Sequence, residues 1–291
     1  MKLYKHQFLG EENIYANLKS AQYAILPVPY EGGVSYGVGA AKAPAAVLEA
    51  SQYLECYDHV HKFEPIEQGI ITVNPAEIYD DTEKTQLSIF ESTKEIIDLN
   101  KFPIILGGDH SISGAVFRAL KENNEPLSCI QIDAHSDLRD SYEGSKFSHA
   151  SVMARIREQT PHALQLGIRS MSSEEAKKIE SENLAVFAMD KVRRPDFDLK
   201  GELQKLPDPV FITLDVDALD WSVIWSTGTP EPGGFLWDEI IEILTSVFKN
   251  KKVVGFDIVE LAHAPLDRNS PFAVAKLIYK MIALHQVFDK A

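Results

Sequence analysis

The segment Asp133-Ala134-His135-Ser136-Asp137 sets a carboxylate, an imidazole and a second carboxylate at alternate positions, and Asp215-Val216-Asp217 repeats the spacing with two carboxylates. In an extended or turning chain, alternate side chains point to the same side. Donors from each segment therefore converge within a few ångströms. Upstream, Gly107-Gly108-Asp109-His110-Ser111 adds another imidazole, and Glu260 follows a later apolar run. Uncompensated buried carboxylates are costly, and Arg139 is the nearest basic residue to this group. Divalent cations would balance it. Carboxylates and imidazoles without a thiolate suit Mn²⁺, Fe²⁺, Co²⁺, Ni²⁺ or Zn²⁺. Four Asp and two His exceed what one catalytic ion with an open position takes, and match two ions sharing bridging carboxylates. Such a site lowers the pKa of a bridging water and holds a nucleophilic hydroxide at neutral pH. Singly, each motif has a plainer reading: an Asp-x-Asp pair is commonly a turn or cap, and Asp109 could cap a helix starting near Ile112. Their recurrence at successive strand ends favours the metal reading.

The elements that must position these donors read as an alternation of strand and helix. Strands are predicted at Tyr23–Val28, Gly69–Val73, Pro103–Leu106, Ser128–Ile132, Ala163–Ile168, Ala185–Ala188, Val210–Leu214 and Val253–Val259. Most are nearly continuous in apolar residues, as strands buried on both faces of a parallel sheet are. Helical periodicity falls between them, at Ala45–Leu54, Lys84–Leu99, Ile112–Asn123, Ser173–Glu182 and Leu236–Phe248, with a last helix over Phe272–Phe288. This order predicts an α/β protein with a mostly parallel sheet of about eight strands and helices on both faces. No linker-like stretch divides residues 1–291, so one domain is expected. A TIM barrel has the same element order and is the competing architecture. In an open parallel sheet, ligands sit beyond the C-terminal strand ends, where the donor motifs fall.

The 291 residues include 29 Lys and Arg against 43 Asp and Glu, a formal net charge of -14. This acidity argues against nucleic-acid or anionic-membrane binding and is compatible with a small cationic substrate. Cys56 and Cys129 exclude a disulfide framework; Cys129, inside an apolar run, reads as a core residue. Met1–Asn13 lacks the apolar stretch of a signal peptide, and no run is apolar enough to span a bilayer. A cytoplasmic protein is expected.

Over nearly the whole chain, the sequence resembles the ureohydrolase family of arginases, agmatinases and formiminoglutamases. The resemblance rests on Gly-Gly-Asp-His-Ser at 107–111, Asp-Ala-His-Ser-Asp at 133–137 and Asp-Val-Asp-Ala-Leu-Asp at 215–220, which match its metal-binding signatures in order. It implies a three-layer α/β/α fold, two Mn²⁺ ions, and hydrolysis of a guanidinium group to urea and an amine. It also implies a homo-oligomer, trimeric or hexameric. By position, His110 and Asp137 resemble the ligands of one ion and His135 and Asp217 those of the other, with Asp133 and Asp215 bridging. Asp137 is implied to hydrogen-bond the bridging hydroxide, and Glu260 to pair with the substrate guanidinium. A carboxylate suits that last role because it accepts a guanidinium bidentately.

Within the family the match is closest to agmatinases, which implies agmatine as substrate and putrescine and urea as products. The loop Asp137-Leu138-Arg139-Asp140-Ser141-Tyr142-Glu143-Gly144 leading to Ser148-His149 resembles theirs, as do Pro29-Tyr30-Glu31-Gly32-Gly33-Val34-Ser35-Tyr36-Gly37-Val38-Gly39 and Leu166-Gly167-Ile168-Arg169-Ser170. His149 resembles the histidine that passes a proton to the leaving amine, a task suited to an imidazole. The departures concern substrate. Trp221 stands where Pro is usual, Ile224-Trp225-Ser226 replaces Ala-Pro-Gly, and His263 lies in an extended loop after Glu260. The two indoles would stack on a cationic substrate or serve packing or an interface. His263 is either a pocket or a surface residue. Aminopropylagmatine, guanidinobutyrate, guanidine, arginine and formiminoglutamate remain alternative substrates, and a non-catalytic metal-binding homologue is the rival from another class.

Overall fold

In the computed structural model, which describes residues 1–33 and 35–289, the strands are β1 (Tyr23–Val28), β2 (Ile70–Thr72), β3 (Phe102–Gly107), β4 (Ser128–Ile132), β5 (Ala163–Ile168), β6 (Ala185–Ala188), β7 (Val210–Asp215) and β8 (Val253–Val259). Val34, within the agmatinase-like loop, and Lys290 and Ala291 lie outside the described residues. The strands form one parallel sheet in the order β2-β1-β3-β8-β7-β4-β5-β6. It has two edges, β2 and β6, so the sheet is open and the TIM-barrel alternative is rejected. The expected strands are all present with small changes at their ends; β3, for example, extends to Phe102 and Gly107.

The continuous apolar strands make sense once both faces are covered. Ile25, Ile104, Ile130, Ile212 and Phe256 point into one core with α1 (Ala43–Ser51), α8 (Trp237–Asn250) and α9 (Asn269–Phe288). Their strand neighbours Ala24, Ile105, Cys129 and Phe211 point into the other, with α2 (Thr82–Asp98), α3 (Ser113–Lys121) and α4 (Val152–Arg157). Full burial of each Ile or Phe removes apolar surface worth about 1.5–3 kcal/mol. Cys129 is fully buried in this second core, as its apolar surroundings predict. The short helices α5 (Ser173–Ser181), α6 (Met189–Val192) and α7 (Leu199–Gln204) complete the connections. Among the described residues, no helix is long and apolar enough to cross a membrane.

Sheet order fixes where the site lies. The donor-bearing strands β3, β8, β7 and β4 are the four contiguous central strands. Being parallel, they release His110, Glu260, Asp215 and Asp133 at one end of the sheet. The chain runs outward to one edge through β1 and β2 and comes back to β3. It runs outward to the other edge through β4, β5 and β6, and then returns through β7 and β8 between β4 and β3. A gap between outgoing connections at such a reversal is where parallel sheets bind ligands.

Candidate metal centre

Each donor is set by a strand end and the turn after it. Gly107 ends β3, and Gly108 lets the chain pass Tyr30: a Cβ there would stand 2.0 Å from the Tyr30 carbonyl oxygen. Asp109 then organises the turn, accepting hydrogen bonds from Ser111 N at 2.9 Å and Gly33 N at 2.8 Å. This is the loop-building role its sequence position suggests, and it leaves His110 pointing into the cluster. Asp137 and Glu260 both adopt left-handed backbone, with φ of 52° and 64°. Non-glycine residues rarely take this conformation, and where they do, the surroundings hold them there.

The structure brings all six sequence-predicted donors together. His110 Nδ1 lies 3.1 Å from Asp133 Oδ2, 3.1 Å from Asp137 Oδ2 and 3.3 Å from Asp215 Oδ2. His135 Nδ1 lies 2.8 Å from Asp217 Oδ2 and 3.8 Å from Asp133 Oδ1. Two donor groups result, His110–Asp133–Asp137 and Asp133–His135–Asp217, each with ligand atoms within 4.8 Å of one another. Asp133 belongs to both. Apart from the partly exposed His135, these side chains are almost wholly removed from solvent.

The chemistry of the set fits divalent cations. His110 Nδ1 is buried without a hydrogen-bond partner and aims at three carboxylates. Its other nitrogen, Nε2, lies 2.8 Å from Thr213 Oγ1, whose hydroxyl donates to Ser113 Oγ at 3.2 Å. An imidazole fixed through one nitrogen presents the other to a metal. Without cations the electrostatics are unbalanced. Burial first, then the neighbouring Asp137 and Asp217 charges, push Asp133 up to about 8. Burial and the same kind of neighbours hold Asp215 well above the carboxylate range. Burial lowers His135, but the Asp217 hydrogen bond and nearby carboxylates outweigh it and push the imidazole up to about 11. Positive charge placed among these groups relieves both burial and repulsion.

Glu260 is buried beside the cluster, and its Oε1 accepts a hydrogen bond from His110 N at 2.6 Å. The position where a Cβ would stand on Gly228 is 3.5 Å from its other oxygen, so glycine keeps that side of the carboxylate open. His149 opens the turn before α4. Its Nδ1 meets the Gly33 carbonyl, its Nε2 lies 3.3 Å from Ser35 Oγ, and its ring stands edge-on to Tyr142. A cavity of about 220 Å³ joins His149, Ser35 and Tyr142 to His135, Asp137 and Thr229.

Other expectations resolve differently. Trp221 and Trp225 are 49% and 65% exposed, which excludes core packing, and neither lines this cavity. Trp225 is tied by its backbone N–H to Ser270 Oγ at 2.8 Å. His263 is half-buried and lines a different cavity with Tyr53 and Phe272. Asp220 builds its own turn, accepting from Ser222 N and Oγ. Arg139 does not neutralise the cluster; it faces Glu175 at 3.8 Å and Tyr142.

Several supporting residues escaped sequence reasoning. Glu175, in the capping box of α5, also accepts from Ser136 Oγ at 2.8 Å and Leu138 N at 2.9 Å, pinning the donor loop. Burial opposes its ionised form, but hydrogen bonds from Ser172 and Ser136 hold Glu175 below the usual carboxylate range. The Arg169 guanidinium donates to the carbonyls of Asp217 at 2.6 Å and Glu231 at 2.8 Å, clamping the loop that carries Asp217. The capping-box pattern Ser172-x-x-Glu175 was a usable signal for α5, though not for the loop it restrains.

The arginase family model matches residues 21–283. An N(1)-aminopropylagmatine ureohydrolase of Synechocystis is 35% identical, the match covering 95% of this chain and 92% of that protein. An agmatinase of Pyrococcus horikoshii is also 35% identical, over 98% of this chain and 99% of its own length. The crystal structure of agmatine ureohydrolase of Thermoplasma volcanium superposes with a TM-score of 0.88 at 26% identity, covering 97% of this chain and 95% of that one.

Proposed function

The chain belongs to the arginase family and is a hydrolase of linear amidines, and on that premise we propose that it cleaves agmatine to putrescine and urea at a centre of two Mn²⁺ ions. The observation that carries this reading is the pair of donor groups sharing Asp133, with Glu260 hydrogen-bonded to the backbone of His110. His110 and Asp137 would hold one ion, His135 and Asp217 the other, with Asp133 and Asp215 bridging. Bound metals of this kind supply a water of lowered pKa as nucleophile.

The remaining work belongs to the protein. Glu260 uses one oxygen to hold its position against His110 N and offers the other to the guanidinium, neutralising its charge as the group is desolvated. Asp137 would accept a hydrogen bond from that water and orient it toward the guanidinium carbon. His149 delivers a proton from its imidazole to the departing amine as the C–N bond breaks, making putrescine the leaving group. The cavity between His135 and His149 receives the alkyl chain.

A second substrate, N(1)-aminopropylagmatine, is favoured by an equal identity to a relative of that name. Both readings are tested by measuring urea from Mn²⁺-loaded protein across agmatine, aminopropylagmatine, guanidinobutyrate, arginine and guanidine. The highest kcat/KM on agmatine supports the first reading. A preference for aminopropylagmatine moves the assignment to the second, and no urea from any compound rejects both. The assembly is proposed to be a trimer or hexamer, measurable by light scattering.

A further inference from the structure

Two glutamines lie fully buried in the middle of the sheet, Gln131 on β4 and Gln165 on β5, directly opposite each other in the strand register. Buried amides in an apolar layer are costly unless both ends are hydrogen-bonded. Here they form a line. Arg157 Nη2, on α4, donates to Gln165 Oε1 at 3.2 Å; Gln165 Nε2 donates to Gln131 Oε1 at 2.5 Å; Gln131 Nε2 donates to Asp133 Oδ2 at 2.6 Å. Gln165 Nε2 also donates to the Ser136 carbonyl at 2.8 Å, so the same pair grips the donor loop. Gln131 Nε2 stands 3.5 Å from Asp137 Oδ2 as well.

The polarity of this line is determined at its outer end. A guanidinium can only donate. Arg157 therefore forces the oxygen of Gln165 outward and its NH₂ inward, and this in turn forces the oxygen of Gln131 toward Gln165. The NH₂ of Gln131 is left facing Asp133. At its other oxygen Asp133 accepts from His135 N at 2.6 Å. Both of its oxygens are held, one from the sheet and one from its own turn.

We infer that Arg157, Gln165 and Gln131 form a relay that positions Asp133 for divalent-metal binding, with Gln131 its positioning residue. The inference rests on the proposed metal centre. The chain's four central strand ends bring donors together, and this relay ties Oδ2 of the carboxylate shared by both donor groups to the sheet interior. Removing an outer hydrogen-bond partner of this kind weakens metal affinity on the order of 10- to 100-fold.

Calorimetric titration of the metal-free full-length protein with Mn²⁺ alone tests this, with Co²⁺ absorption as the spectroscopic readout and the melting temperature of the metal-free protein as the control for folding. Gln131→Met keeps length and volume and removes the donor; Arg157→Met acts from the far end. The relay predicts Mn²⁺ binding weakened about 10- to 100-fold in Gln131→Met, a smaller loss in Arg157→Met, and a double variant no weaker than Gln131→Met. It also predicts an altered Co²⁺ spectrum at saturation. Wild-type affinity in Gln131→Met, or losses that add in the double variant, overturns the relay. If Gln131→Met fails to fold, unchanged affinity in Arg157→Met overturns it. Absence of Mn²⁺ binding by the wild-type chain rejects the metal centre itself, and the relay with it.

Discussion

The backbone N–H of His110 donates to Oε1 of Glu260 at 2.6 Å, joining residues 150 positions apart. The turn after β3 and the end of β8 are neighbours because β3 and β8 pair in register, Ile104 opposite Phe256 and Leu106 opposite Ile258. A proposed metal donor and the proposed guanidinium partner are thus spaced by the sheet itself and not by a flexible loop.

Glu260→Gln keeps the shape of this contact and removes the charge. A buried charge that loses its partner costs about 2–5 kcal/mol, so kcat/KM on agmatine should fall between about 30-fold and a few thousand-fold. Bound Mn²⁺ should stay at the wild-type level. Metal analysis beside steady-state kinetics checks this, and a variant that loses its metal would reassign Glu260 to the metal centre.

His149→Ala should lower kcat by about 100-fold or more, the usual contribution of a general acid, with little change in melting temperature or metal content. Its ring contacts Ser35, Ser148, Tyr142 and the Gly33 carbonyl, none of them part of the apolar cores. A pH–rate profile is the discriminating measurement. An altered pH dependence of kcat in the variant is expected; an unchanged profile would remove His149 from proton transfer.

The metal-free protein should lose stability as pH rises from 6 to 9. Asp133, held up to about 8, retains in the fold a proton that the unfolded chain releases near 4. His135, held up to about 11, stabilises the fold fully below about 6.5 and progressively less above it. Both act in the same direction, because the fold binds more protons than the unfolded chain across this window. Asp217 is held below the usual range and adds nothing to the trend at these pH values. Mn²⁺ displaces those protons, so the stabilisation it brings should grow with pH. Thermal melts with and without Mn²⁺ measure both slopes, and a metal-free melting temperature that rises with pH would contradict the prediction.

Trp225→Ala should leave the order of substrate preference unchanged, since the indole is 65% exposed and outside the cavity that holds His135 and His149. The substrate panel run on this variant decides the matter. An altered ranking would show that the loop from Trp221 to Ser226 reaches the substrate in the working enzyme.

Much of this site was legible in the sequence because its signals are local. The spacing of Asp133, His135 and Asp137 needs only one turn to converge, and the continuous apolar character of β4 and β7 needs only two covered faces. What was illegible is carried by pairing across the sheet. Gln131 and Gln165 read as interruptions of apolar strands until the register sets them side by side. Thr213 and Ser113 read as ordinary hydroxyls until β7 and α3 bring them behind His110. Glu175 announces a helix start, and nothing in its neighbourhood signals the loop some 40 residues earlier that it restrains. For the indoles the sequence left packing and an interface side by side, because an apolar residue in a loop says nothing about whether the chain turns it inward; their exposure removes only core packing.

The most direct test of the central claim is urea release from agmatine measured against Mn²⁺ bound per chain, starting from metal-free protein. The two-ion centre predicts activity that climbs with loading and levels off when two ions are bound. Full occupancy without urea, or urea release that does not depend on bound metal, would contradict it.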